Sequence, residues 1–275
     1  MSELVSRQDR PAKGDGDRAV FDRLVVAALP KARGVVRRMI GHPEDTEDIL
    51  QEALLNAWKA FPDFRGEASF STWLTTIATR AAVDFLRRSK RWRSEAQIAY
   101  ANVAAVDDAW RDEIISTFAA PDFSFEVREH VAYCFACVGR SLPPDEQAAL
   151  VLGDVAEMSA RDAAGALGVS ESVFRHRLAA ARQAMRDRYE NLCALVSKTG
   201  MCHQCKGLRE SAAEGRRGGP VPDVADYADR LAVVRSASFA DGAARSLHDI
   251  FWRRTKEVEE AGVGSTERET NCGVD

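Results

Sequence analysis

The sequence predicts an all-α protein: two small helical domains joined by a linker, with a partly helical C-terminal extension. Three observations predict it. Apolar residues recur at helical spacing over most of the 275 positions, and no stretch shows the alternation of a half-buried strand. Gly and Pro punctuate the chain between the periodic segments, at Gly41 with Pro43, Pro62 with Gly66, and Pro143 with Pro144. Hydrophobic residues make up 45% of the chain, enough for real cores and too many for global disorder.

Residues 1–17 are polar, contain Gly14 and Gly16, and are expected to be disordered. The first domain spans 18–93. In it Phe21, Leu24, Val25, Ala28, Val35, Val36 and Ile40 mark a helix that Pro30 should bend or break. GHPED at 41–45 makes a turn and starts an acidic helix. Ile49, Leu50, Ala53, Leu54, Ala57 and Trp58 form its apolar stripe. Glu44, Asp45, Glu47 and Asp48 crowd its N-terminus, where the helix dipole favours negative charge. A loop follows over 61–68. Ser69 or Ser71 then caps a helix carrying Trp73, Leu74, Ile77, Val83, Phe85 and Leu86. Residues 94–125 read as a linker with a short helix around Asp107–Phe118, ended by Pro121. The second domain spans 126–190. The extension, 191–275, is broken at Gly200 and again at Gly215, Gly218, Gly219 and Pro220, and carries an amphipathic helix at 245–260.

Within the second domain, LPPDEQAALVLGDVAEMSARDAAGALGVSESVFRHRLAAARQAMR (142–186) has the layout of a helix-turn-helix. Pro143 and Pro144 open a helix to about Leu152. Ser159 and Asp162 have capping-box spacing, with Asp in place of Glu or Gln. Gly168 supplies the turn, and Ser170 caps the second helix. Val169, Val173 and Leu178 are expected to pack inward. Ser172, Arg175, His176, Arg177 and Arg182 are left for the other side. A polar, basic second helix suits a DNA major groove. The same pattern also fits an ordinary helical hairpin with a solvated face.

Charge directs attention to local patches. The net charge is −4, which argues against a uniformly basic coat. Yet Arg80, Arg87, Arg88, Lys90, Arg91 and Arg93 lie close together, opposed in sequence only by Asp84. Phosphates are the natural partner of such a cluster. Phe64, Phe70, Trp73 and Trp92 flank it, and aromatics beside a basic groove can stack unpaired bases. Trp73 belongs equally to the apolar stripe and reads more simply as core. Phe64, in the loop, is undecided. No apolar run reaches the length needed to span a bilayer, and the N-terminus lacks the apolar segment of a signal peptide. The expectation is a cytoplasmic protein without membrane contact. No nucleophile–base pair, phosphate loop or paired catalytic carboxylates stand out, so the expectation is binding without catalysis.

These two blocks together resemble a sigma factor of the extracytoplasmic-function type, within the sigma-70 family. EDILQEALLNAWKAFPDFRGEASFSTWLTTIATRAAVDFLRR is similar to sigma region 2, and the helix-turn-helix block to sigma region 4. The linker stands where larger members have region 3. The resemblance implies core RNA polymerase and promoter DNA as partners, with an anti-sigma factor as a further candidate. It implies that Asp45, Asp48, Gln51, Glu52 and Asn56, on the helix of Trp58, bind the polymerase. It implies that the part from Phe64 to Arg88, with Trp73, Arg80 and Arg87, melts and reads the minus-ten element, and Lys90 and Arg91 of the basic cluster are expected to bind DNA beside it. Ser170, Ser172, Arg175, His176, Arg177 and Arg182 would read the minus-thirty-five element. Family members often carry Asn where Arg80 stands. The rival reading is a one-component helix-turn-helix regulator with a metal- or redox-sensing helical domain. It leaves the acidic and basic helices at 45–93 without a task.

Six cysteines include two CxxC pairs, Cys134 with Cys137 and Cys202 with Cys205, which bracket the helix-turn-helix. Two such pairs supply four thiolates, the donor set of a structural or sensory zinc site. Their wide separation is unlike a compact zinc motif. The alternatives are a redox switch and simple core packing. Promoter recognition itself requires no cofactor. By analogy with family members that carry such extensions, residues 194–260 are expected to regulate the chain, clipped to region 4 by a Cys-liganded ion.

Overall fold

The computed structural model describes residues 15–88, 109, 127–139, 141–192 and 227–236. Helix α1 runs Asp15–Ile40, α2 Pro43–Ala60 and α3 Phe70–Arg88, with a short 3-10 turn at Phe61–Asp63. Then come α4 (Val127–Gly139) and α5 (Pro144–Leu150), the latter continued by one turn of π-helix over Val151–Val155. Helices α6 (Ala160–Leu167), α7 (Glu171–Leu192) and α8 (Tyr227–Ser236) complete the described chain. No strand occurs among the described residues, so the all-α expectation holds.

The first three helices bury one stripe each. α1 contributes Ala28, Ala32, Val35, Val36 and Met39, α2 contributes Ile49, Leu50, Ala53 and Ala57, and α3 contributes Leu74, Ala78, Ala82 and Leu86. The spacing of three and four is what a 3.6-residue period requires of a single buried face. Each fully buried Leu, Ile or Val contributes about 1.5–3 kcal/mol relative to exposure. The many alanines let the helices approach closely.

Two expectations for α1 need correction. The helix begins at Asp15, inside the segment expected to be disordered, and Asp17 suits the positive end of its dipole. It also runs unbroken past Pro30. Proline at that position deprives the carbonyl of Val26 of its helical partner. Val26 is 75% exposed, so it lies on the solvent side of the helix, where water can satisfy that carbonyl.

The turn into α2 is shorter than GHPED suggests. Gly41 takes a positive φ of 78° and Pro43 already occupies the first turn of α2. Ser69, rather than Ser71, caps α3: its Oγ accepts from the Thr72 amide at 3.1 Å.

In the second block Ser159 caps α6, its Oγ accepting from the Asp162 amide at 3.1 Å and donating to the Asp162 carboxylate at 2.7 Å. That carboxylate therefore holds the cap hydroxyl itself. Gly168 ends α6 at φ 67°, ψ 33°, the left-handed region that glycine enters at no steric cost. The Val169 amide reaches back to the Ala164 carbonyl at 3.0 Å, closing a Schellman cap. Ser170 caps α7 through the Val173 amide at 3.3 Å. Phe174, Ala181, Met185 and Tyr189 bury the inner face of α7, with Leu178 partly buried between them. Val173, expected to point inward, is 42% exposed instead. The inward series starts one residue later, at Phe174. Gly153 stands where α7 crosses: a Cβ there would lie 3.0 Å from Leu178 Cδ2 and 3.3 Å from Phe174 Cζ.

The expected linker 94–125 lies outside the described residues except for position 109, as do the expected helices at 107–118 (that position apart) and 245–260. Helix α8 was not anticipated from the sequence. It buries Tyr227, Arg230, Leu231, Val233 and Val234 and packs against α4 and the π-turn.

Candidate protein- and nucleic-acid-binding surfaces

Helix α2 presents one polar face to solvent. Glu44, Glu47, Asp48, Gln51, Glu52 and Asn56 are exposed on it, and Asp45 is half-buried beside His42, its carboxylate 3.6 Å from Nδ1. Glu47 accepts from Arg33 at 2.9 Å. In the same face sits Leu55, 62% exposed. On the helix surface its neighbours one turn away are Gln51, Glu52, Trp58 and Lys59, so an exposed apolar side chain sits within a largely polar face. Sequence reading found the polar members and missed Leu55, which lies one position beyond Leu54 in the buried stripe.

Phe61, Phe64, Phe70 and Trp73 form one cluster, and Trp92 lies outside the described residues. Phe64 stacks on Phe61 (centroids 6.4 Å apart, 14° between planes) and meets Phe70 edge-on at 5.7 Å. Trp73 lies 4.9 Å from Phe64 and 5.4 Å from Phe70. Phe70 is buried, whereas Phe64 and Trp73 are half-buried and keep part of their rings at the surface. Both readings of Trp73 are thus met in part: it packs on the core and retains an accessible portion. Phe64, undecided from sequence, packs with it.

Arg80, Arg87 and Arg88 are exposed along α3. Sequence showed only Asp84 against them, but the fold brings in more. Arg87 Nη2 donates to both carboxylate oxygens of Asp145, at 3.0 and 2.9 Å. That hydrogen bond, ahead of the charges of Asp145 and Asp84, raises the Arg87 pKa above the ordinary guanidinium value. Arg88 approaches Glu52 at 3.7 Å. Arg80 Nε donates to the Ala166 carbonyl at 2.8 Å and its Nη2 to the Gly165 carbonyl at 3.0 Å, both at the C-terminal end of α6. Lys90 and Arg91, with the rest of the basic run, lie outside the described residues.

On the second helix of the helix-turn-helix, Ser170, Ser172, Arg175 and His176 are exposed at its N-terminal end. Arg175 pairs with Glu171 at 2.7 Å, one turn back. Arg177 is half-buried, 3.3 Å from the same Asp145 that holds Arg87. Arg182 turns away from this group. Its Nε and Nη2 both reach the buried carboxylate of Asp154, the former at 2.9 Å. The bond to Asp154 raises the Arg182 pKa. Tyr227 of α8 donates to the same carboxylate at 3.1 Å, and burial pushes its phenol well above 10.0. Arg235 Nε donates to the Asp154 carbonyl at 2.6 Å. The π-turn aims Asp154 at these three partners, and none of the contacts is readable from local sequence.

Of the candidate metal ligands, Cys134 is a half-buried free thiol on α4. Cys137 is on the same helix, and Cys202 and Cys205 lie outside the described residues. Among the described residues no group of three or more His, Cys, Asp or Glu is placed to hold a metal ion. No described helix is long and apolar enough to cross a membrane.

Residues 24–93 match the family model for Sigma-70 region 2, and residues 135–185 that for Sigma-70, region 4. The chain is 31% identical to the ECF RNA polymerase sigma factor SigG of Mycobacterium tuberculosis, over 54% of this chain and 43% of that protein. It thus spans less than half the length of that relative. It is 30% identical to the M. tuberculosis ECF RNA polymerase sigma factor SigM, over 61% of this chain and 76% of that protein. The E. coli K12 ECF RNA polymerase sigma-E factor is 28% identical, over 70% and 98%. A solved structure, the sigma factor RpoE in complex with the anti-sigma factor NepR from Bartonella quintana, overlaps at a TM-score of 0.42 and 18% identity, over 61% of this chain and 95% of that chain. That overlap is too loose to bear on how the helices are arranged. Two family matches in the expected order, together with the likeness to SigM, place the chain in the ECF-type sigma-70 family of RNA polymerase sigma factors.

Proposed function

We propose that the chain binds core RNA polymerase and directs promoter-specific initiation of transcription. The observation that carries the reading is the pairing of two faces on adjacent helices. The carboxylate and amide face of α2, with Leu55 on it, is exposed and suits a protein partner. The exposed arginines of α3, on the helix whose first turns carry half-buried Trp73 packed on Phe64, suit melted DNA. Asp48, Gln51, Glu52 and Asn56 would meet the polymerase, with Asp45 at the rim. The N-terminal end of α7, with Ser170, Ser172, Arg175 and His176, would enter the major groove of the upstream element. A helix N-terminus with polar and basic side chains is how this motif contacts base edges.

On this reading the polymerase performs the chemistry and the sigma contributes binding energy. Extruding a base from the stack costs a few kcal/mol. Pocket contacts and phosphate neutralisation by the arginines offset that cost. No cofactor is needed for these steps, and the place of action is the cytoplasm. The rival one-component regulator leaves the α2 face without a partner. Co-purification with core RNA polymerase separates the two readings: retention on core supports the sigma reading, and no association at micromolar concentration sinks it. Zinc at the cysteine pairs is a separate question. Metal content near zero in protein purified without added zinc, unchanged by substituting Cys202 and Cys205, would remove the metal reading.

A further inference from the structure

Helix α8 follows both matched blocks in sequence, yet it is built into the helix-turn-helix module. Tyr227 donates to the buried Asp154 carboxylate at 3.1 Å, and the same carboxylate accepts from Arg182, in the middle of α7, at 2.9 Å. Two guanidinium–ring contacts add to this. Arg186 of α7 lies 5.2 Å over the Tyr227 ring, and buried Arg230 of α8 lies 3.8 Å over the Tyr189 ring. Arg235 reaches further, to the turn that leads into α6. Its Nε donates to the Asp154 carbonyl at 2.6 Å, and its Nη1 lies 3.2 Å from the Glu157 carboxylate. None of these contacts involves the first three helices.

Glu157 gives that grip a purpose. Among the described residues it is the one non-glycine with a positive φ, at 52°. The Ala156 amide reaches back to the Val151 carbonyl at 2.8 Å and the Met158 amide to the Leu152 carbonyl at 3.0 Å. The π-turn thus closes with a wider version of a Schellman cap, and Glu157 holds its left-handed position. Glycine enters that position at no steric cost, as Gly168 does at the end of α6. Any other residue loses about tenfold in population there. Glycine would hold the turn unaided. Glutamate disfavours it but supplies the carboxylate that Arg235 holds. The Asp154 carbonyl, in the last turn before the break, lies at the negative end of the helix and suits the same guanidinium. The turn leads directly into the Ser159 cap of α6, while the Asp154 side chain holds α7 through Arg182.

We propose that Arg235 and Tyr227 are positioning residues for promoter binding: α8 clamps the turn at Asp154–Glu157 and so fixes how α6 and the recognition helix α7 are set against each other. The DNA-reading unit of this chain then runs beyond residue 185, where the region 4 match ends, to Ser236. Without the clamp the Glu157 turn opens and Arg182 loses the backing of Tyr227. Helix α7 then presents Ser172, Arg175 and His176 to the groove in more than one orientation. The effect on DNA rests on the sigma reading proposed above, whereas the clamp belongs to the free chain.

The test uses the full chain. Hydrogen exchange read by mass spectrometry follows peptides within 151–163 in the wild type, Arg235→Ala, Glu157→Gly and the double variant. Arg235→Ala should speed exchange there about tenfold, because the left-handed penalty is then unrelieved. In the Glu157→Gly background the same substitution should speed it by no more than about threefold. Exchange unchanged in Arg235→Ala, or changed equally in both backgrounds, overturns the clamp. Should Arg235→Ala lose helical content, Glu157→Ala and Glu157→Gly decide. Both remove the carboxylate at an exposed site, but only alanine keeps the penalty, so alanine should speed exchange and glycine should not. Equal effects overturn the clamp. For DNA, holoenzyme assembled from core RNA polymerase and each variant is titrated with a duplex that wild-type holoenzyme enriches from a random-sequence pool. Arg235→Ala should weaken duplex binding about tenfold, as when the competent fraction falls by that factor, and leave binding to core within about twofold. The double variant should recover to within about threefold of the wild type, a rescue that loss of a merely structural contact would not allow. Tyr227→Phe keeps the ring, loses the bond to Asp154 and should weaken duplex binding about threefold. A loosened turn with wild-type duplex affinity overturns the positioning role. If the wild type fails to bind core, the sigma reading and the DNA role fall together, and exchange still decides the clamp.

Discussion

Ser159, Phe174 and Tyr227 each carry a defined energetic role. Ser159→Ala removes the α6 cap and should cost about 1 kcal/mol in denaturant unfolding. Phe174→Ala should cost about 3–5 kcal/mol, because the ring is buried where α7 crosses Gly153. Val173→Ala should stay within about 0.5 kcal/mol. The reverse ranking would restore the inward placement of Val173 that the sequence suggested. Two spacings compete in the sequence: Val173 lies four residues after Val169, whereas Phe174 lies four residues before Leu178, and only the second marks the buried face of α7. Tyr227 gives a pH signature. Its pKa is raised above 10.0 in the fold by burial and by the Asp154 carboxylate. The folded chain therefore keeps a proton that the unfolded chain releases. The stabilisation is full below about pH 10 and is lost as pH rises above it. Arg38 shifts the other way, pushed down to about 10 by burial, but it is common to wild type and variant and cancels in a difference. The gap in Tm between wild type and Tyr227→Phe should shrink between about pH 8 and about pH 11. A gap that widens with pH would contradict the assigned hydrogen bond.

Helices differ in how well their sequences announce them. α2, α3, α6 and α7 were legible because their caps and apolar stripes are local: Pro43, Ser69, Ser159, Gly168 and Ser170 all act within one turn. α8 was not legible. Tyr227, Leu231 and Val234 do keep helical spacing, but ten residues carry a weak signal, and the partners that seat them are far away in sequence. On α2, the proposed docking face makes a clear prediction. Leu55→Asp should leave unfolding stability within about 0.5 kcal/mol, because the side chain is exposed. Binding to core polymerase should weaken about tenfold or more, as for the apolar centre of an interface. Equal binding by the variant would remove Leu55 from that surface. On α3, Arg88→Ala should lower the salt dependence of DNA binding by about one phosphate contact. An unchanged slope would place Arg88 off the DNA.

At the scale of the whole molecule, sequence supplied the two modules and their order, and the fold supplied how they meet. The modules were legible because each buries its own stripes. Their contact was not, because Arg80 with Gly165, Arg87 with Asp145 and Gln147 with Met39 join residues with no local sign of pairing. The candidate site follows the same division. Asp48, Glu52, Arg175 and His176 stand exposed as expected. Arg177 and Arg182 carry partners that only the tertiary structure could reveal.

The central claim is tested most directly by transcription in vitro, with purified core RNA polymerase, the full chain and a genomic-fragment library, mapping transcript 5′ ends. The account predicts discrete start sites that require the chain, that share sequence about ten and thirty-five base pairs upstream, and that are lost with Leu55→Asp. Starts that do not depend on the chain, together with no binding to core, would contradict it.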